Sequence, residues 1–458
     1  MTVNLCPQCL EKQRRIDRLE EENQRLKEKL RYIERKAQEG LFGSSTPSAK
    51  IALKANTAEE QRAKPGGAKA GHAGHGRKAV EEANADRIET VEVGPSCPHC
   101  GGPLEHKEYR ERSVIDSKPL RAERILYELE RARCPRCGKT VQARAPEVLP
   151  KSLYGNQLIT QVVFLHYRQG IPMGRLCDQL GIGLGAVFDI LHRMAALFQG
   201  VIPKLIAEYR QAPVRHADET GWRTDGRSGY AWLLATPELS IFLFRSTRSA
   251  RVAKEVLGEQ RLAGVLVVDR YNAYNRAPCA LQYCYAHLMR DVEDLAKEFP
   301  DHGEVKAFTS TLIPLLSAAM HLHAQPLSEV EYQQRARPLR QQIIDVTAQP
   351  SQHLGVRQIQ DIFRSHPDRL YHWAENRDVP ADNNRAEREL RPTVIARKVS
   401  FGSQSDAGAK TREVLMSLVH TLGKRVSDPE THFKSVLDRL VRDPTRDPIA
   451  MLFSQDSS

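Results

Sequence analysis

Residues 264–274, Gly-Val-Leu-Val-Val-Asp-Arg-Tyr-Asn-Ala-Tyr, constrain the fold more than any other stretch. Four apolar residues, three of them β-branched, end abruptly in Asp269. That pattern predicts a strand buried on both faces with a carboxylate at its carboxyl end. Ligands gather at strand ends in open α/β sheets, so Asp269 is either a site residue or a structural turn residue. What the chain places beside it decides between the two.

From residue 213 the hydrophobic period is that of strands. Val214–Trp222 holds a short strand ending in Asp218 and Glu219. Tyr230–Thr236 and Leu239–Phe244 form two more, joined at Pro237-Glu238, and Arg251–Glu259 has a helical pattern. The strand Val265–Val268 follows, then a helix from about His287 to Glu298. Strand, hairpin, helix, strand, helix is an RNase H-like order, in which the first and fourth strands lie side by side. Asp218 would then meet Asp269. Residues 300–375 are mostly helical and show no catalytic pattern. Ala381-Asp-Asn-Asn-Arg-Ala-Glu-Arg-Glu-Leu-Arg-Pro392 comes next. Asp382 or Asn383 can N-cap a helix there, Glu387 lies one turn on, and Pro392 is expected to close the stretch. Arg385, Arg388, Arg391, Arg397 and Lys398 crowd this acid. It belongs either to a salt-bridged surface helix or to a site where an acid holds metal and phosphates arrive. Two carboxylates at strand ends and one on a helix form an oxygen-rich set suited to Mg²⁺ or Mn²⁺. Two such ions roughly 4 Å apart activate water or a 3′-hydroxyl and stabilise the leaving oxygen at phosphorus.

The net charge of +11 favours a polyanion partner, most often nucleic acid, over a merely basic surface. No apolar run approaches the ~18 residues of a membrane helix, and the N-terminus lacks a signal-peptide core. A reducing compartment is therefore expected, where CxxC pairs act as metal ligands. Cys97-Pro-His-Cys100-Gly and Cys134-Pro-Arg-Cys137-Gly are matching knuckles whose four thiolates complete a closed tetrahedral zinc site. The strand-prone stretch between them fits a zinc ribbon. Cys6-Pro-Gln-Cys9 supplies only half such a site. Ile16, Leu19, Asn23, Leu26, Leu30, Ile33 and Ala37 follow alternating steps of three and four, a heptad seam with Asn23 at an a position. That favours a parallel two-stranded coiled coil over a solvated single helix. Residues 41–92, rich in Gly, Ala, Lys and Ser, have the composition of a flexible basic linker in which His72 and His75 are unstructured polar residues. Met173–Leu180, Gly181-Ile-Gly183 and Leu184–Leu197 fit either a helix-turn-helix that enters a major groove or a small helical bundle packed on the next domain. Thr411–Leu440 is amphipathic helix interrupted at Val426–Pro429.

Asp218-Glu-Thr-Gly-Trp222, Asp269-Arg-Tyr-Asn-Ala-Tyr274 and Asp382-Asn-Asn-Arg-Ala-Glu387-Arg…Arg391-Pro resemble the three acid motifs of insertion-sequence-66 transposases. The likeness continues through Arg397-Lys398, Phe401-Gly-Ser403 and Gly408-Ala409, and the order of segments matches along the chain. Arg270 stands where the family usually has Gly, Tyr285 where it has Trp, and Val399 where it has Asn. The resemblance implies a multidomain α+β protein. Residues 1–40 would hold the CxxC pair and a dimerisation helix, 41–92 the linker, 93–145 the ribbon and 150–205 the helical segment. An RNase H-like core would comprise 210–299 and 376–425, split by a helical insertion at 300–375 and followed by a helical piece at 426–458. It further implies a DDE transposase of the bacterial cytoplasm that cuts insertion-sequence ends and joins their 3′-hydroxyls to target DNA. Asp218, Asp269 and Glu387 would bind Mg²⁺, and the five basic residues would hold DNA. Accessory proteins of the same element are implied partners. Glu219 and Glu389 are spare acids. Two other readings fit the residues: a zinc and helix-turn-helix DNA-binding protein with an inert α/β domain, and a simple metal-dependent nuclease.

Overall fold

The computed structural model describes residues 120–453 except 134, 136, 138 and 139, together with 11, 12, 15, 16, 18–28 and 30. Cys6, Cys9, the linker at 41–92, Cys97, Cys100 and Cys134 lie outside the described residues. The chain divides into two units, 1–51 with 122–458, and 52–121. The described helices and strands all belong to the first unit.

A short antiparallel pair, β1 (Arg131–Arg133) and β2 (Thr140–Gln142), brackets the second cysteine knuckle, with Cys137 exposed between them. Four helices follow: α1 (Asn156–Tyr167), α2 (Met173–Leu180), α3 (Leu184–Leu197) and α4 (Val201–Gln211). Gly181, at φ 69°, ends α2 in the left-handed conformation a side chain would resist, and α3 leaves at 110° to α2. That angle is one a helix-turn-helix adopts. On α3, Leu184 and Phe188 are the exposed large hydrophobic residues, Asp189 and His192 are exposed beside them, and Arg193 donates to the carbonyls of Pro150 and Lys151. Its buried face, Val187, Ile190, Leu191 and Met194, packs inward, and His192 contacts Thr411 at 2.7 Å.

The central sheet has the order β5-β4-β3-β6-β7. β3 (Val214–Thr224), β4 (Arg227–Ala235) and β5 (Ser240–Arg245) are antiparallel neighbours, and β6 (Val265–Val268) and β7 (Ala280–Tyr283) run parallel to β3. β3 and β4 reach further than the hydrophobic pattern suggested, meeting at Asp225-Gly226. Both of those residues have positive φ, 52° and 71°, as a two-residue hairpin turn with the right twist requires. β6 is buried along its whole length, and each of its side chains contributes about 1.5–3 kcal/mol. Its entry depends on Gly264, where a Cβ would lie 2.1 Å from the Pro213 carbonyl oxygen. The close approach lets the Val265 amide donate to that oxygen at 2.9 Å.

After α5 (Ala250–Leu257), β6 and β7, the chain continues into α6 (Tyr285–Glu298). Three long helices occupy the predicted insertion: α7 (Gly303–Leu322), α8 (Glu329–Ala348) and α9 (Leu354–Ser365). Contrary to the sequence expectation, α7 is long and apolar enough to cross a membrane by length and composition. Its Val305, Phe308, Leu312, Leu316 and Leu322 are buried, and it packs against α6 and α8, so its apolar face is insertion core. A short helix, α10 (His372–Glu375), leads to α11 (Asn384–Ser400), α12 (Asp406–Arg425), α13 (Pro429–Arg442) and α14 (Pro448–Phe453).

Pro392 does not close its stretch. α11 runs through it to Ser400. An internal proline costs a helix about 3 kcal/mol. Here Ala386, Leu390 and Thr393 are buried and α11 lies on β3 and β4, so packing outweighs the local preference. α12 covers the edge of the sheet. Its Glu413, Ser417 and Thr421, spaced by four, accept from the amides of Phe244, Phe242 and Ser240, spaced by two. Four helical residues rise about 6 Å and two strand residues about 6.8 Å, so the two repeats stay in step. Edge amides that would otherwise invite another strand are thereby satisfied.

Candidate active site

β3 and β6 pair in parallel with Val214 opposite Val265, Arg215 opposite Leu266 and His216 opposite Val267. The offset is constant at 51 (265 − 214), and it also separates Asp218 from Asp269 (269 − 218). The two acids therefore stand level just beyond the β3–β6 pairing. Asp269 follows the end of β6. Asp218 lies within β3 and not at its end as the sequence suggested, because pairing with β4 carries that strand on to Thr224. Asp218 Oδ1 accepts from the Glu219 amide at 2.8 Å and Asp269 Oδ1 from the Tyr271 amide at 3.0 Å.

Glu387 arrives from across the chain, and Asn383 brings it. Asn383 is buried and donates from Nδ2 to the Ala217 carbonyl at 2.8 Å, while its Oδ1 meets His216 Nδ1 at 3.0 Å. Its own amide points at Cys284 Sγ, 3.1 Å away. The residue at the N-cap position thus spends its side chain on β3, pinning the start of α11 beside the acid-bearing strand. One turn on, Glu387 Oε2 accepts from Arg290 at 3.3 Å, and Oε1 lies 3.8 Å from His287 Nδ1.

The electrostatics follow from this crowding. Burial, then the charge of Glu219, pushes the Asp269 carboxyl up to about 7; the Tyr271 amide, Arg248 and Arg270 oppose the rise. Burial pushes Asp218 well above the usual carboxylate range, and Glu219, Asp269 and Glu387 add to the push. The charges of Asp269 and Glu387 are thus both felt at Asp218. Burial holds His287 down at about 3, helped by Arg290 and Arg270, so it is neutral at physiological pH. Glu387 Oε1 and His287 Nδ1 are buried atoms with no hydrogen-bond partner among the described residues. Crowded oxygen donors with an unmatched buried oxygen fit a hard divalent cation. Cys284, His287 and Glu387 also place one ligand atom each within 4.8 Å of the others.

The two spare acids have structural partners. Glu219 Oε1 accepts from Arg248 Nε at 2.8 Å, and Oε2 accepts from the Tyr274 hydroxyl. Glu389 Oε2 accepts from Lys424 Nζ and Ser240 Oγ, each at 2.8 Å. Arg270, the departure beside Asp269, pairs with Asp291 on α6 and so ties the end of β6 to the helix that carries His287 and Arg290. The Arg248 guanidinium lies 3.9 Å from the centre of the Tyr271 ring. Each of Asp269, Arg270, Tyr271 and Tyr274 therefore has an identifiable contact in this site.

The five basic residues divide. Arg388, Arg391 and Lys398 are exposed on α11, in company with exposed Ile395, Val399 and Phe401. Arg397 instead braces β3, donating from Nη1 to the Gly221 carbonyl at 2.6 Å and to Thr220 Oγ1 at 3.1 Å. Arg385 lies 3.8 Å from Glu389. Sequence reasoning gave no role to His287 or Arg290. The available signal was their spacing of three on a helix that begins directly after Cys284.

Residues 97–172 match a domain of unknown function designated DUF6431. The uncharacterized protein y4hP of Sinorhizobium fredii strain NGR234 is 21% identical over 400 residues, 77% of this chain and 72% of the relative. The uncharacterized protein y4qI of the same strain is 24% identical over 348 residues, 66% of this chain and 62% of the relative. Residues 151–411, more than half the chain, match the sequence model of the transposase IS66 family and span all three acids, and on that match the chain belongs to the IS66 family of transposases.

Proposed function

We propose that this protein cuts the ends of its insertion sequence and joins the freed 3′-hydroxyls to target DNA, with Asp218, Asp269 and Glu387 as the metal-binding acids. The observation that carries the reading is the equal offset that sets Asp218 level with Asp269 on adjacent parallel strands, with Glu387 delivered by the Asn383 anchor. A sheet whose first core strand lies between the second and the fourth supports an RNase H-like core. The three acids would hold Mg²⁺ or Mn²⁺, which when bound supplies activation of the attacking oxygen and charge stabilisation at phosphorus. The protein's own groups do the rest. Arg290 orients Glu387, and Arg248 draws Glu219 away from the acids that must stay open. Arg388, Arg391 and Lys398 offer cations to the DNA backbone, and Phe401 a stacking surface beside them.

Zn²⁺ on Cys97, Cys100, Cys134 and Cys137 would shape the ribbon, in keeping with the β1–β2 hairpin at the second knuckle. Residues 10–40 would pair two copies, since Ile16, Leu19, Leu26 and Leu30 are exposed on the described helical positions. Accessory proteins of the element are further partners in this reading. The test is incubation of the purified protein with oligonucleotides bearing the inverted repeats that flank its gene, with target plasmid and Mn²⁺. Joined products are expected. Tight binding to the repeats without nicking or joining would instead favour the inert DNA-binding reading, and nicking without joining the nuclease.

A further inference from the structure

A second group of metal-ligand side chains lies apart from the acids, where the helical insertion meets the N-terminal helix. His302 and His353 immediately precede α7 and α9, and their rings lie 4.5 Å apart. Glu28 Oε2, on the N-terminal helix, is 3.8 Å from His353 Nε2. One ligand atom from each of the three lies within 4.8 Å of the others. His353 is 4% exposed, yet neither of its ring nitrogens has a hydrogen-bond partner among the described residues, and His302 Nδ1 is a buried atom in the same condition. Buried imidazole nitrogens are normally satisfied. The backbone that presents His353 is fixed by Glu304, whose Oε2 accepts from Ser351 Oγ at 2.7 Å, Gln352 N at 3.0 Å and His353 N at 2.9 Å. The Phe299 ring walls one side of the His353 imidazole at 4.7 Å.

We infer that Glu28, His302 and His353 bind a transition-metal ion of the Zn²⁺ class that clasps the N-terminal helix to the insertion. Two imidazole nitrogens and one carboxylate oxygen suit Zn²⁺, Co²⁺ or Ni²⁺ rather than Mg²⁺, and water completes the tetrahedron. Ligand atoms around such an ion stand about 3.4 Å apart, so small side-chain rotations close the site. Two helix N-termini nearby disfavour a cation, and the Glu28 and Glu304 carboxylates offset them. The clasp grips the face of the N-terminal helix opposite its heptad seam. With Asn23 at an a position, Glu28 falls at f, while Ile16, Leu19, Leu26 and Leu30 stay exposed. The metal thus orients the seam outward, toward a second copy. None of this depends on the DNA chemistry.

The test uses the full chain, stripped with chelator and titrated with Co²⁺ while its d–d absorption is followed. Sulfur-to-cobalt charge transfer marks any cysteine site separately. The wild type is expected to bind one more equivalent than the His302→Gln/His353→Gln variant, with no difference in the thiolate band. Glu28→Gln, on an accessible helix that cannot unfold the insertion, is expected to weaken that equivalent about tenfold and to leave the N-terminal helix open to trypsin despite Zn²⁺. Equal stoichiometry in wild type and double variant overturns the site. An equivalent lost with the histidines but unaffected by Glu28→Gln overturns the clasp. Should the double variant fail to fold, Glu28→Gln decides alone.

Discussion

Buried charge is handled in opposite ways at the two sides of the central sheet. Along the β5 edge, nearly every buried charged group of α12 is matched. Glu413 meets Arg245 at 2.7 Å and Lys410 at 2.5 Å, and Lys424 meets Glu389 at 2.8 Å. The Arg412 guanidinium lies 5.1 Å from the centre of the Tyr167 ring and 5.2 Å from that of Trp222. At the β3–β6 end, by contrast, Asp218 and Asp269 crowd one another with carboxyls held above their usual range, and Glu387 keeps an oxygen unmatched among the described residues. Matched charges hold elements together. Mismatched ones cost stability and persist where a ligand repays them. The difference separates the acids proposed as catalytic from the structural ones more sharply than their order in the sequence does.

The comparison can be broken from either side. On the matched side, Glu413→Ala leaves Arg245 with one partner fewer and the Phe244 amide without its acceptor. Urea denaturation should show a loss on the order of 3–5 kcal/mol, as for other broken buried pairs. On the mismatched side the same kind of change should stabilise. Asp269 has an unfolded value of about 3.9 and a folded value of about 7, so the fold favours its neutral form. Below pH ~4 both states are protonated and nothing is lost. The penalty grows from pH ~4 to ~7 and is complete above, at up to roughly 4 kcal/mol. Metal-free Asp269→Asn should therefore melt higher than wild type at pH 8, with the gap closing toward pH 4. Mg²⁺ should raise the wild-type melting temperature at pH 8 and leave the variant unmoved. A variant that melts lower than wild type at pH 8 would place Asp269 among the structural acids. Glu389→Gln should cost about 1–3 kcal/mol of stability, because Lys424 loses a charged partner. The smallest effect belongs to the surface of α11. Arg391→Ala and Lys398→Ala should each lower the salt dependence of DNA binding by about one counterion in a filter-binding series, whatever the DNA sequence. Arg397→Ala should instead register mainly as lost stability, since it braces β3.

Much of this site was legible in the sequence because strand pairing is periodic. An apolar run ending in Asp269 and a strand bearing Asp218 need only a shared register to meet, and the parallel pairing of β3 with β6 supplies it. Asp225-Gly226 is a local hairpin signal that the hydrophobic pattern alone passes over, and both strands extend to it. Other features had no local signal. β7 is four residues long, and its buried Gln282 is satisfied by the Tyr283 and Leu370 carbonyls, the latter 88 residues away. Pro392 argues locally against a helix and is overruled by packing. Arg270 looked like an anomaly beside the key acid because its partner, Asp291, lies on another element. Asn383 looked like a helix cap, and only the fold shows that its side chain is spent on Ala217 and His216.

The measurement that bears most directly on the contrast is strand transfer by two variants at one divalent-metal concentration, Asp269→Asn from the mismatched cluster and Glu389→Gln from the matched edge. Both should fold by circular dichroism. Asp269→Asn should lose joined product by roughly a thousandfold or more, as expected when a metal ligand is removed. Glu389→Gln should stay within a few-fold of wild type. Equal losses in the two variants, or joining that survives Asp269→Asn, would contradict the assignment.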